Sequence, residues 1–375
     1  MKKKRILQVV PALETGGLER VTIQTTKQLI ALAGQNNRFF VASSGGRLAG
    51  ELGQNHICIP NLHRRTPWHI MRNIFSLMRV IKKHKISLVH ARSRAPAWSC
   101  YFACKLLRLP FMTSFHGVYN QTNSLKALYN SIMVRGVYVI AISEFVARHI
   151  RKTFAHLNPR IACIPAGIDV HHFDPERVST ADIDAFYANH NIQRFRKILF
   201  LPGRLTALKG HHVLLEAAKS LNPDVFAVVI AGDHQGRKGY AETLKKKASK
   251  LTMPVIFVTK LDDLVVAYAA ADIVFSCSTD PEAFGRITTE ALAMGRPYIG
   301  TNHGGSLEQT RNGLYGVLVP PHDPQALVHA VNAFERMSPD KRAQYSRNVR
   351  KHIVENYAEE RMAQMTLRVY ADVLS

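Results

Sequence analysis

The sequence predicts an α/β protein of two doubly wound domains, and three observations predict it. Short apolar runs rich in β-formers alternate with segments of helical periodicity through both halves, the pattern of parallel strands joined by crossover helices. A chain of 375 residues is long enough for two such domains, each with its own core. The alternation lapses once, over residues 169–196, which are polar and helical at best. This stretch reads as a linker between a first domain at 1–168 and a second at 197–359.

The first domain opens on Lys4–Val10, an apolar run of the kind a buried parallel strand shows. After a loop over Pro11–Gly17, apolar residues recur at helical spacing from Leu18 and stop at Gly34. Gly16 and Gly17 therefore lie just before a helix N-terminus, where backbone donors suit a phosphate, although a plain tight turn also accounts for them. Neither GxGxxG nor GxxxxGK[ST] occurs, which speaks against a dinucleotide enzyme and a P-loop NTPase. Phe39–Ser43 and Ile57–Ile59 read as the next strands. In Pro67–Lys85, Trp68, Ile70, Met71, Ile74, Leu77, Met78 and Ile81 share one helical face. That helix either faces the core or, with Arg72, Arg79, Lys82 and Lys83 elsewhere on it, lies on a membrane surface. Ser87–Ala91 and Pro110–Phe115 are strands flanking a helix over Pro96–Leu107. His116 ends the second of them, at the carboxyl edge where α/β sites gather, a place open to a structural or a functional histidine. Tyr138–Ser143 is the next strand.

Lys197–Leu201 opens the second domain and leads through Gly203 to Arg204 and Lys209, two cations placed to bind a diphosphate. Val225–Gly232 and Val255–Thr259 read as strands, Leu244–Leu251 and Leu264–Ala270 as helices. Ala271–Ser278 and Pro297–Thr301 are two further strands. Between them a helix of about ten residues starts near Gly285 and stops at Gly295. The N–H groups of Phe284 to Ile287 head it and suit a phosphate. Glu282 sits in the loop before it, and Glu290 more than a turn inside it. Carboxylates on either side of such a site can accept hydrogen bonds from a sugar hydroxyl and a ribose hydroxyl; two solvated helix acids would be spelled the same way. Gly316–Val319 is a last short strand, and Pro324–Met337 and Lys341–Ser375 are helical.

Composition narrows the class. Apolar residues make up 46% and charged residues 21%, as in soluble globular proteins. No apolar run approaches the roughly 18–20 residues of a spanning helix, and the start reads as a basic tail and a first strand. The five cysteines show neither CxxC nor metal-ligand spacing and read as buried free thiols in a reducing cytoplasm. Of the net +23, residues 1–168 hold +21, from 25 Lys or Arg against 4 Asp or Glu. Such a field favours an anionic membrane, a phosphorylated glycolipid or nucleic acid.

EAFG, EALAMGRP and HGG within residues 280–305, and GRL, KG and LLEA from residue 203 onward, closely resemble the motifs of retaining glycosyltransferases of family 4. Members of that family have the GT-B fold, two Rossmann-like domains facing across a cleft. The likeness covers nearly the whole chain and is most specific at 203–210 and 280–305. It implies transfer of a sugar from a nucleotide diphosphate sugar to an acceptor hydroxyl, with no cofactor or metal required. Glu282 is then expected at the donor sugar, and Arg204, Lys209 and the backbone of Ala283, Phe284, Gly285, Arg286 and Ile287 at the diphosphate. Glu290 falls to the ribose, and His116 lies near the reacting sugar. The Gly16–Gly17 loop approaches the diphosphate, Gly203 opens the loop that carries Arg204, and residues 360–375 pack back on the first domain. Arg286 departs from the family, which usually has an apolar residue there. Asp182 and Asp184 spell the DxD metal signature of a different glycosyltransferase fold, but within a helix-like pattern, and are read as helix acids.

With the basic first half, the resemblance points to a lipid-linked or glycolipid acceptor of the lipopolysaccharide type. The expected location is cytoplasmic, peripheral on the inner face of the plasma membrane. No nucleic-acid partner is expected. The alternatives are a nucleic-acid-binding protein, for which no motif is present, and a phosphorylase or epimerase on the same fold. The donor base and sugar, the acceptor and the oligomeric state are not legible.

Overall fold

In the computed structural model, which describes residues 4–375 except 15, 35–37, 120–122, 235, 237 and 260–263, the apolar runs pair into two all-parallel sheets. The chain forms one unit from the residues up to Gly167 together with Glu359–Ser375, and a second from Ile168–Ala358.

The first unit carries strands β1 (Arg5–Val9), β2 (Arg38–Ser43), β3 (His56–Cys58), β4 (Leu88–Ala91), β5 (Phe111–Phe115), β6 (Val139–Ala141) and β7 (Ile161–Cys163). Its helices are α1 (Gly17–Ala33), α2 (Pro67–His84), α3 (Arg94–Leu107), α4 (Ser124–Ser131) and α5 (Glu144–Thr153). The sheet order is β3-β2-β1-β4-β5-β6-β7. The second unit holds α6 (Thr180–Asn189), β8 (Lys197–Pro202), α7 (His211–Ala217), β9 (Phe226–Ala231), α8 (Lys238–Ala248), β10 (Val255–Val258) and α9 (Leu264–Ala270). It continues with β11 (Ile273–Ser276), α10 (Arg286–Ala293), β12 (Tyr298–Thr301), α11 (Gly305–Gln309), β13 (Val317–Val319), α12 (Pro324–Glu335) and α13 (Pro339–Tyr357), in the sheet order β10-β9-β8-β11-β12-β13. In both sheets the strand order reverses beside the first strand, at β1/β4 and at β8/β11. A crevice opens outside the carboxyl ends at such a switch point, which is where α/β proteins bind ligands.

The last helix, α14 (Glu359–Leu374), lies in the first unit, where Met362, Ala363 and Tyr370 join Ile6, Leu29, Phe39, Leu88 and Met112 in one core. Gln28 Nε2 donates to Glu359 Oε1 at 2.7 Å and Lys4 Nζ to the Leu374 carbonyl at 2.8 Å. The apolar stripe of α14 explains the packing, because Met362, Ala363 and Tyr370 are buried in that core.

Several expectations need correction. Residues 169–196 are not a linker but the start of the second unit: Phe186 and Tyr187 of α6 are buried, α6 packs on α9, and Asp174 pairs with Arg350 at 2.7 Å. A few large side chains anchor this polar stretch, and composition averages them away. The helical stretch Lys341–Ser375 consists of two helices, separated by Ala358 in an extended conformation. Helix α4 was not expected, and α8 begins at Lys238, ahead of Leu244. Cys58 is exposed and Cys163 half-buried, although all five thiols are free. The single apolar face of α2 divides: Leu77 and Ile81 are buried, whereas Trp68 and Met71 are exposed, as is Phe75, which the predicted face does not include. No helix among the described residues is long and apolar enough to cross a membrane.

Candidate active site

The constellation is built where β8 and β11 release the chain. Gly203 follows β8 with φ +136°, and a side chain on Gly232, after β9, would stand 1.9 Å from the Gly203 carbonyl oxygen. Glycine at 203 and 232 therefore lets the two strand ends meet. Four residues on, a 3-10 turn over Ala207–Lys209 ends at Gly210, with φ +67°. A Cβ there would lie 1.8 Å from the Cys277 carbonyl, and Thr279 N donates to the Leu208 carbonyl at 2.9 Å. The β8 loop is thus laid against the end of β11, which brings Lys209 to Glu282.

Lys209 Nζ donates to Glu282 Oε1 at 2.7 Å, and Ser278 Oγ donates to the same oxygen. The Glu282 side chain is only 23% exposed. Burial by itself would raise its carboxyl, but the charge and hydrogen bond of Lys209, the Ser278 hydrogen bond and the charge of His303 outweigh it and hold the group below its ordinary value. Glu282 is therefore ionised at neutral pH. Its backbone is clamped from the other side. Gly305 N donates to the Glu282 carbonyl at 2.9 Å, and Cβ atoms on Gly304 and Gly305 would stand 2.5 Å and 2.1 Å from the carbonyl oxygens of Glu282 and Phe284. The glycines of HGG are the condition for this close backbone approach.

Gly285 caps α10 in the left-handed region (φ +84°) and makes no side-chain capping bond, leaving the first-turn amides of Arg286 and Ile287 to point outward from a helix N-terminus. Phe284 is buried against the Tyr357 ring, and its carbonyl accepts from Gln309 Nε2 at 2.6 Å. One turn into α10, Glu290 accepts from Tyr268 OH at 2.8 Å and from Arg286 Nε at 3.1 Å. Glu290 closes one wall of a cavity of about 260 Å³, together with Gly203, Arg204, Gly232, Asp233 and Ile287. Of the residues singled out in the sequence, Glu282, Lys209, Gly203, Arg204, Arg286, Ile287 and Glu290 thus gather at one switch point. Ala283, Phe284 and Gly285 supply its backbone.

Gly16, Gly17 and His116 belong to the first unit. Gly16 caps α1, and a side chain on it would strike Glu19, whereas Gly17 has open space around it. The His116 ring follows β5, and its buried Nε2 finds no protein partner among the described residues. Burial first and the Arg92 charge second hold His116 well below the ordinary imidazole value, so the ring is neutral. Arg92 is itself buried, donates from Nη1 to Gln8 Oε1 at 2.7 Å, and is pushed down by burial to about 10.

Residues 15–172 match the family model Glycosyltransferase Family 4, and residues 182–352 match Glycosyl transferases group 1. A solved glycosyltransferase from Rickettsia africae ESF-5 is 33% identical over 100% of both chains, with a TM-score of 0.90. The chain belongs to the family 4 glycosyltransferases. Spore coat protein SA of Bacillus subtilis is 25% identical over 77% of this chain and 79% of its own. Anabaena HepE, solved in complex with UDP, is similar in fold, at 20% identity and a TM-score of 0.83 over 98% of this chain and 100% of that one. The protein is accordingly a transferase with the GT-B fold.

Three residues of this constellation were not singled out from the sequence. Ser278 lies four residues before Glu282, Tyr268 sits on α9, and His303 precedes the glycine pair. Ser278 and His303 carry a weak signal, since each lies two residues past a strand, beyond the carboxyl edge of the sheet. Tyr268 carries none, because its partner lies 22 residues away and only the packing of α9 brings the two together.

Proposed function

We propose that this glycosyltransferase moves a sugar from a nucleotide diphosphate sugar to a hydroxyl of a lipid-linked or surface-glycan acceptor, with retention of anomeric configuration. The observation that carries the donor half is the Lys209–Glu282–Ser278 cluster and the Glu290-walled cavity on one loop-and-helix segment. Glu282 is an ionised acceptor for a sugar hydroxyl, and Glu290 one for the ribose. Between them the α10 amides, Arg204 and Lys209 suit the diphosphate, whose charge grows as the C1–O bond to phosphate breaks. The acceptor oxygen forms its bond to C1 on the face that the phosphate leaves, and its proton passes to a leaving phosphate oxygen. No covalent nucleophile is required. Neutral His116, buried at the end of β5, keeps an Nε2 without a protein partner among the described residues and suits a hydrogen bond to a hydroxyl. The test is a panel of nucleotide sugars scored for protection against thermal unfolding, followed by product analysis. Release of a nucleoside diphosphate with a new glycosidic bond is expected; a sugar 1-phosphate or an epimerised nucleotide sugar as product would overturn transfer.

The reaction is expected to be metal-independent. Asp182 completes the capping box of α6 with Ser179, accepting from Ser179 N at 2.9 Å and Ser179 Oγ at 2.7 Å, while Asp184 pairs with Arg194 at 2.7 Å. Both acids are thus occupied in helix capping and an ion pair, as the helix-like pattern around them predicts. Activity should survive excess EDTA, and Asp182→Ala should leave kcat unchanged while slightly lowering the melting temperature through loss of the capping box. Strict dependence on added Mg²⁺ or Mn²⁺ would refute this.

For the acceptor half, the support is surface chemistry. Trp68 is 63% and Phe75 62% exposed on α2, Leu125 and Leu128 are exposed on α4, and the first 168 residues carry the +21. Lys2 and Lys3 of the basic start lie outside the described residues. Apolar side chains among cations suit the interface of an anionic membrane, at about 1 kcal/mol per basic group near the surface. A lipopolysaccharide-type glycolipid on the inner face of the plasma membrane is the acceptor class this favours. Flotation with anionic liposomes is expected at low salt and should weaken at high salt; equal binding to neutral liposomes, or none to either, would favour a soluble acceptor.

A further inference from the structure

Arg286 stands where family 4 usually has an apolar residue, and the donor reading so far uses its backbone amide but gives its side chain no task. Its position is electrostatically unfavourable: it is the first residue of α10, where the helix dipole is positive, and the first turn holds no acid. Arg204 and Lys209 lie on the same switch-point loops. A cation in that place gains nothing from the helix, so its reason has to be sought in its contact. The contact is Glu290. Arg286 Nε donates to Oε1 at 3.1 Å, while Tyr268 OH donates to Oε2 at 2.8 Å.

Each donor is itself fixed. Tyr268 is fully buried, edge-on to the rings of Phe200 and Phe173 at 5.3 Å and 5.8 Å. Burial and the Glu290 carboxylate keep its phenol well above its ordinary value, so it remains a donor. One helical turn earlier on α9, Leu264 lines the cavity that Glu290 walls. The Arg286 side chain is 31% exposed, with Nη1 buried and without a protein partner among the described residues. An unassisted glutamate at a cavity wall has several rotamers, and ordering it on ligand binding costs free energy; one held at both oxygens is ordered beforehand.

We infer that Tyr268 and Arg286 are positioning residues that lock the Glu290 carboxylate toward the cavity, so that it recognises the vicinal hydroxyls of the donor's ribose. This rests on the reading of the cavity as the nucleoside site. The arrangement leaves each carboxylate oxygen with one further lone pair, and two such lone pairs at fixed spacing match a cis-diol. Ribose is thereby distinguished from deoxyribose, because a missing hydroxyl leaves a buried carboxylate oxygen short of one donor.

The test measures affinity by calorimetry for the full chain. Uridine, guanosine and adenosine diphosphates are compared first, and the tightest is then compared with its 2′-deoxy and 3′-deoxy forms. Wild type is expected to prefer the ribonucleotide by about tenfold or more, as for a hydrogen bond to a charged group. Tyr268→Phe keeps the ring packing and Arg286→Leu restores an apolar residue; each should cut ribonucleotide affinity several-fold while leaving the deoxy forms nearly unchanged, so that discrimination collapses. A structural role alone would lower the melting temperature and weaken all the nucleotides in proportion. Discrimination retained in both variants, or absent from wild type, would overturn the inference. Failure of wild type to bind any of the three diphosphates would instead overturn the reading of the cavity.

Discussion

Replacing Glu282 by alanine is expected to lower kcat by about 100-fold or more with little change in donor affinity. Replacing Glu290 by alanine should mainly raise the donor KM. The two carboxylates belong to one loop and helix but are held differently. Glu282 is ionised against its own burial by Lys209 and Ser278, a preorganised charge whose effect is greatest when charge develops at the sugar. Glu290 is held by Tyr268 and Arg286 at the cavity wall, where it contributes to ground and transition states alike; loss of such uniform binding appears in KM. The measurement is steady-state kinetics on both variants, with circular dichroism to establish that each is folded. Full activity in Glu282→Ala would remove the central argument for this site.

Lys209→Met is expected to reduce kcat by a similar factor of about 100, the usual cost of removing one charge-stabilising donor, and to change the acid side of the pH profile. In the wild-type protein the folded Glu282 carboxyl lies below its ordinary 4.5. Its stabilising contribution is therefore present above about that pH and is lost as pH falls through the lower, folded value. Without Lys209, the largest remaining influence on Glu282 is burial, which raises the carboxyl. Protonation then begins at higher pH, so the acid loss of activity and of melting temperature should both move upward in pH relative to wild type. Profiles of kcat and of melting temperature from pH 4 to 8 check this, and an acid limb that stays in place in Lys209→Met would show that the ion pair does not govern Glu282.

The same two clusters mark the boundary between what is readable in sequence and what is not. The apolar runs and helical periods placed most strands and helices, because each is a local property: a strand buried on both faces must be apolar throughout, and a crossover helix must carry an apolar stripe. The glycines at 16–17, 203, 285 and 304–305 were also legible, and 203, 285 and 304 prove to stand at positive φ, with 304 and 305 also at backbone contacts. Failures occurred where local composition misleads. The polar run 169–196 is anchored by Phe186 and Tyr187, and the division of the last helical stretch at Ala358 has neither glycine nor proline to announce it.

By itself, then, the sequence determined the class of fold, the order of its elements and, through EAFG, EALAMGRP, GRL and KG, the family and the residues proposed for its site. It did so because these depend on residue type and short spacing. Only the tertiary structure decided how those residues are wired. It paired Lys209 with Glu282 across 73 positions and Tyr268 with Glu290 across 22. It left His116 neutral beside a buried Arg92, and it set Met362, Ala363 and Tyr370 of the last helix against Ile6, Phe39 and Leu88. Each of these is a contact between elements far apart in the chain, set by which strand ends meet at a switch point and by which faces remain to be covered, and no window of sequence contains both partners.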